Sequence, residues 1–139
     1  MLAEPSDRSD VVVLRAPRGR GSLPVIRVVI GGMASRHALP VDRLDDVELA
    51  VETLFQEEPP GGEDFTLRIA VASGNFTVTL GGLCSPLVLK TLSGAAADAD
   101  RLGPENILRM IMDALLDGYQ TVSGPGAASF AVQMEKRIG

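Results

Sequence analysis

The sequence holds one cysteine (Cys84), one histidine (His37), one tyrosine and no tryptophan. A lone cysteine excludes an internal disulfide and any cysteine-built zinc site, a usage that suits a reducing cytoplasm. With one histidine, a Ser-His-Asp triad would have to be built on His37. That residue follows Arg36 at a helix end, where a capping or surface role fits it better. No apolar run approaches the ~20 residues that cross a bilayer. Met1 to Asp10 carries four charged residues and no apolar core, so it is read as a flexible N-terminus and not as a secretory signal. Basic residues are also in deficit: 13 Lys and Arg against 18 Asp and Glu leave a net charge of -5. That balance argues against a sequence-independent grip on nucleic acid, which needs clustered cations. Arg15, Arg18 and Arg20 form only a local basic group, read as a solvated loop. The expectation is a cytoplasmic protein with neither nucleic acid nor membrane as partner.

The chain has 139 residues, 45% of them apolar, enough for one domain with a real core over residues 11–139. Val11-Val12-Val13-Leu14 reads as a first strand. After a Pro/Gly/Arg loop, Ser22 is a candidate N-cap. Val25, Ile26, Val29, Ile30, Met33 and Ala34 then recur at helical spacing to about Ala38. Gly31-Gly32 inside that helix lowers its propensity and suggests close backbone packing. A second helix follows Pro40, with Leu44, Val47, Ala50, Val51, Leu54 and Phe55 on one face and Asp45, Asp46, Glu48 and Glu52 largely elsewhere. It ends at Glu57-Glu58-Pro59-Pro60.

Phe65 to Ala72 and Phe76 to Leu80 read as a hairpin turning at Ser73-Gly74-Asn75, where Gly and Asn accept positive φ. Gly81 to Gly103 is weakly patterned, with a small-residue run at 94–97 and room for a short helix. Pro104 opens a further helix striped by Ile107, Leu108, Ile111, Met112, Leu115 and Leu116, closed by Gly118. Two last strands, Tyr119 to Val122 and Ala128 to Met134, flank Gly124-Pro125-Gly126. The order predicts an α+β two-layer sandwich, with helices on one face of a mostly antiparallel sheet.

That element order is shared with the GHKL (Bergerat-like) ATPase fold. The stretches from Ile26 to Arg36 and from Leu44 to Glu52 resemble the first two helices of RsbW-type anti-sigma factors. The resemblance implies a histidine-kinase-like ATPase domain in a regulator of bacterial transcription and stress response. Such proteins are serine kinases that bind a sigma factor or an anti-sigma antagonist. The family's second helix carries Glu-x-x-x-Asn, the Glu polarising the attacking group and the Asn ligating magnesium. The matching positions here are Thr53 and Glu57. Thr53 cannot serve as a carboxylate base, whereas Glu57 retains a magnesium-binding group.

A register one residue earlier would offer Glu52 and Gln56 instead. It would also rotate the helix by about 100° and carry its apolar stripe off the core, so the register with Thr53 and Glu57 is preferred. The family's adenine-reading Asp-x-Gly matches Gly82 and Cys84. Its phosphate-cradling Gly-x-Gly approach matches Gly103-Pro104-Glu105, where Pro104 lacks an N–H and Glu105 adds negative charge. Gly81-Gly82 by itself is read as a strand-end turn.

These substitutions lead to the expectation of a non-catalytic protein-binding regulator with no catalytic residue, no cofactor and no metal. The alternative is an active ATP- and magnesium-dependent serine kinase with a remodelled pocket. Arg27 matches a family arginine implied to contact the sigma factor and its antagonist, and Arg36 is a weaker partner-binding candidate. Without a partner, Arg27 would simply snorkel on the exposed helix face. Family members pair through their sheets, which implies a homodimer using the edge of the 65–80 hairpin. Leu83, Leu87 and Leu92 are the residues able to fill the family's nucleotide cavity.

Overall fold

A computed structural model describes residues 10–93, 103–123 and 128–139, with only the backbone of Pro104 and Glu105. The N-terminal stretch before Asp10, the small-residue run at 94–97, the 124–126 turn and the Glu105 side chain lie outside the described residues. The elements in chain order are β1 (Asp10–Ala16), α1 (Ser22–Arg36), α2 (Val41–Gln56), β2 (Phe65–Ala72), β3 (Asn75–Leu83), α3 (Pro86–Leu92), α4 (Pro104–Leu115), β4 (Gly118–Ser123) and β5 (Phe130–Arg137). The five strands form one sheet in the order β1-β2-β3-β5-β4, and every pairing is antiparallel. The α+β architecture is therefore the expected one, with a further short helix inside the weakly patterned connection. Among the described residues, no helix is long and apolar enough to cross a membrane.

Strand alternation builds the core. Leu67, Ile69 and Val71 of β2, Phe76, Val78 and Leu80 of β3, and Val132 and Met134 of β5 are buried, while Thr66 and Arg68 between them are exposed. On that inner face lie Ile26, Ile30, Met33 and Ala34 of α1 and Val47, Ala50, Val51 and Leu54 of α2. The α2 stripe is the one expected, and it leaves Thr53 half-buried and Glu57 exposed. Val25 departs from the α1 reading: it is half-exposed, on the outer side of the helix. The interior beside α2 and α4 is filled by Leu83, Val88, Leu92, Leu108 and Met112, with Leu87 half-buried.

Several local expectations are corrected. Ser22 is the first helical residue and not the N-cap; Gly21 holds the cap position, and the Ser22 hydroxyl donates to the Pro17 carbonyl at 2.5 Å. Among the described residues, a Cβ built on Gly31 or Gly32 meets nothing within 4 Å, so neither glycine serves close packing against them. The helix stops at Arg36, with His37 as C-cap and Ala38 in the left-handed region (φ 59). There the Leu39 amide reaches back to the Ala34 carbonyl at 2.9 Å. The hairpin turn takes positive φ at Ser73 and Gly74, which leaves Asn75 as the first residue of β3. Leu116 caps α4, and Gly118 already belongs to β4.

Gly81 and Gly82 are part of β3, at a shift in its register with β5 between Leu80 and Leu83. At Gly82 (φ 83) a Cβ would run into the Asp64 carbonyl. Glycine is needed at that bulge for its backbone. Finally, β2 pairs with both β1 and β3, and β3 with both β2 and β5. The hairpin thus has no free edge, and the edges of the sheet are β1 and β4.

Candidate functional site

Three connections meet at one end of the sheet: the loop between β1 and α1, the loop between α2 and β2, and the β3 bulge running into α3. Arg18 joins them. Its Nη1 donates to Glu58 Oε1 at 3.0 Å and its Nε to the Glu63 carbonyl at 3.0 Å, while Nη2 donates to the Gly82 carbonyl. The guanidinium also stacks 4.5 Å from the centre of the Phe65 ring. Glu58 completes the arrangement from the other side. Its carboxylate accepts from the Cys84 amide at 3.0 Å and the Ser85 amide at 3.0 Å. The Arg18 and Glu58 side chains are only 8% and 3% exposed, so this is a buried ion pair whose remaining polar atoms find partners.

Arg18 is therefore not the solvated loop residue that its sequence neighbourhood suggests. Arg15 does stay at the surface, in an ion pair with Asp64 at 3.1 Å, and Arg20 is exposed. The Cys84 thiol lies 3.5 Å from Glu58 Oε1 and 3.4 Å from Arg18 Nη2. Burial and then the Glu58 charge push its pKa up, which keeps it a protonated, poor nucleophile at neutral pH.

The residues on which the sequence reading placed its expectations have engagements of their own. The Thr53 hydroxyl donates to the Leu49 carbonyl one turn back at 2.7 Å. Glu57 is the exposed C-cap of α2. Cys84 presents its amide, with that of Ser85, to Glu58. Gly103 caps α4 in an extended conformation and its carbonyl accepts from Ile107 at 3.0 Å.

Arg27 and Arg36 occupy opposite edges of α1. Arg27 faces α2, 4.0 Å from Glu48 and 3.8 Å from Glu52. Arg36 turns to β1 and pairs with Asp10 at 2.7 Å, an oxygen shared with His37 Nε2 at 2.7 Å. The His37 hydrogen bond foremost, with the Arg36 charge, holds the Asp10 carboxyl below its ordinary range against a partial opposing effect of burial. Asp10 is therefore an anchored strand residue, where sequence reading placed it in a flexible terminus. The structure does not gather Arg27 and Arg36 into one patch.

Beside the clamp are two adjoining surface hollows. One, of about 270 Å³, is lined by Arg18, Arg20, Phe55, Pro59 and Phe65 among others. The second, of about 260 Å³, lies between Leu23, Pro24 and Arg27 of α1 and Glu52 and Gln56 of α2. Arg20, Phe55 and Gln56 belong to both. Sequence reasoning missed Arg18, Glu58 and this hollow. The Arg–Glu contact spans 40 residues between two loops without periodic pattern, and no spacing rule links such positions. The chain matches no protein-family model and no curated protein sequence.

Proposed function

We propose that the protein is a non-catalytic, protein-binding regulator of the anti-sigma-factor kind, built on a GHKL-like sandwich that has given up its nucleotide chemistry. The observation that carries this reading is the Arg18–Glu58 clamp. The turn after β3 is where the family reads its nucleotide, and here the anion at its Cys84 and Ser85 amides is the chain's own Glu58. Arg18 closes the same turn from the Gly82 side. A phosphate or an adenine would have to displace a buried, fully hydrogen-bonded ion pair and meet the Glu57 carboxylate next to it. Thr53 offers no base, because its hydroxyl is turned back on the helix. These residues do not fit magnesium-ATP, and no phosphoryl-transfer step follows from them.

In this reading the working surface is α1 with the hollow beside it. Arg27 is only loosely held by Glu48 and Glu52, so it is free to re-pair with a sigma factor or an antagonist protein. Arg36 contributes chiefly by fixing the end of α1. A cytoplasmic setting goes with such a partner. Two measurements test the proposal. Calorimetry with magnesium-ATP is expected to give no heat at millimolar nucleotide, and micromolar affinity would overturn the non-catalytic reading. Affinity capture from the native host is expected to recover an RNA polymerase sigma subunit or its antagonist with wild type and not with Arg27→Glu. Absence of both proteins from the wild-type capture would remove the anti-sigma assignment.

A further inference from the structure

An exposed helix in a water-soluble sandwich ordinarily turns charged residues outward. The outer side of α1 does not. Pro24, Val25, Val28, Gly31, Gly32 and Ser35 face away from the core, with Val25 50% and Val28 73% exposed, and the crest carries no charge. Among the described residues its two glycines meet no atom that would forbid a side chain, yet they leave the backbone open to close approach from outside. Across the Arg27 contact, α2 presents a different outer side: Leu49, 49% exposed, among Asp42, Asp45 and Glu52.

The two helices are opposite in charge. α1 carries two arginines and no acid, whereas α2 carries five acids and one arginine. That arginine, Arg43, is engaged with the Arg137 and Gly139 carbonyls, and of the acids only Asp46 is held by Lys136. Asp42 and Asp45 have no ion-pair partner among the described residues. An uncharged-to-basic helix beside an acidic one is self-complementary under a two-fold axis, the requirement for an isologous pair.

We propose that this two-helix face is a self-association surface, on which α1 of one copy lies against α2 of a second copy and the reverse. With the two-fold axis parallel to the helices, the level set by the Arg27–Glu52 contact is preserved between copies. Arg27 then faces Glu52 of the second copy, and Val28 faces its Leu49. The existing contacts of Arg27, at 3.8 and 4.0 Å, are loose enough to be exchanged for intermolecular ones. The surface is distinct from the sheet, whose central hairpin has no edge to offer. The proposal does not depend on the anti-sigma reading. If both hold, self-association and capture of another protein at Arg27 compete by mass action.

Sedimentation velocity over a micromolar-to-millimolar series tests it on the full chain. Wild type is expected to pass from monomer to dimer, and Val28→Asp, at a fully accessible position, to weaken the dimer about tenfold or more. Arg27→Glu and Glu52→Arg are each expected to repel themselves and remain monomeric. Mixed one to one, they are expected to form a heterodimer as strong as wild type, since each supplies the charge that the other now lacks. No contact within one copy can produce that recovery. A wild type that stays monomeric throughout, a dimer indifferent to Val28→Asp, or a mixture that stays monomeric would each overturn the proposal. Circular dichroism of each variant keeps loss of folding separate from loss of association.

Discussion

Glu58 accepts from two backbone amides and from a guanidinium that is itself buried, so the cost of removing it falls mostly on what remains. In Glu58→Ala, Arg18 stays enclosed without a counter-charge and the Cys84 and Ser85 amides lose their acceptor. Breaking a buried pair from one side costs about 3–5 kcal/mol. Urea unfolding is expected to report a loss of that size, and Arg18→Met with Glu58→Leu a markedly smaller one, because no buried charge is then left over. Tyr119, the only tyrosine, gives a second test, at alkaline pH. Its hydroxyl donates to Asp113 at 2.6 Å, and burial first, then that hydrogen bond and charge, push its pKa up to about 12 from 10. The folded state thus favours the neutral phenol. That contribution is complete below pH 10 and is lost as pH rises from 10 through about 12. Absorbance titration of phenolate is expected to show a midpoint near 12, moving toward the ordinary value in Asp113→Asn.

Elements differ in how far their sequence declares them. The α2 register was legible because Val47, Ala50, Val51 and Leu54 recur at a spacing that only one face of a helix satisfies, and the same residues are buried. Alternation did the same for β2 and β3. Short-range chemistry was less legible. Ser22 reads as an N-cap by residue type, but its hydroxyl is drawn to Pro17 by a loop conformation fixed elsewhere, with Arg18 at its centre. Helix α3 was hidden because seven residues hold too few turns to show a period; its start is visible only in hindsight, at Ser85, whose hydroxyl accepts from the Val88 amide at 3.3 Å. The glycine pair of α1 is not legible in the same way, because a pattern cannot tell a glycine that makes room inside from one that leaves room outside. That distinction gives a prediction on this scale. Gly31→Ala and Gly32→Ala meet open space within an ordinary helix, so each is expected to stabilise the isolated fold by about 0.5–1 kcal/mol in denaturant titrations at low protein concentration.

On the scale of the whole molecule, one layer of helices covers one face of a five-stranded sheet, and the Arg18–Glu58 clamp sits at one end of that sheet, where three connections meet. The candidate site was less legible than the fold for that reason. Its parts, Arg18, Glu58, Gly82 and Cys84, come from three connections that lie far apart in the chain and share no periodicity. No pattern in the sequence announces that Glu58, just past the end of α2, accepts from the Cys84 and Ser85 amides.

The clamp also bears on how the molecule comes together and comes apart. A contact that closes loops of 26 to 66 residues gains little until the strands it bridges are already aligned, since loop closure must be met first. It is therefore expected to form late in assembly and, by reversal, to part early in opening. One guanidinium bonds to all three connections, and the Glu58 carboxylate ties the α2–β2 loop to the start of α3 a second time; the three are therefore expected to open as one cooperative unit above an intact sheet, and only when Arg18 and Glu58 both let go.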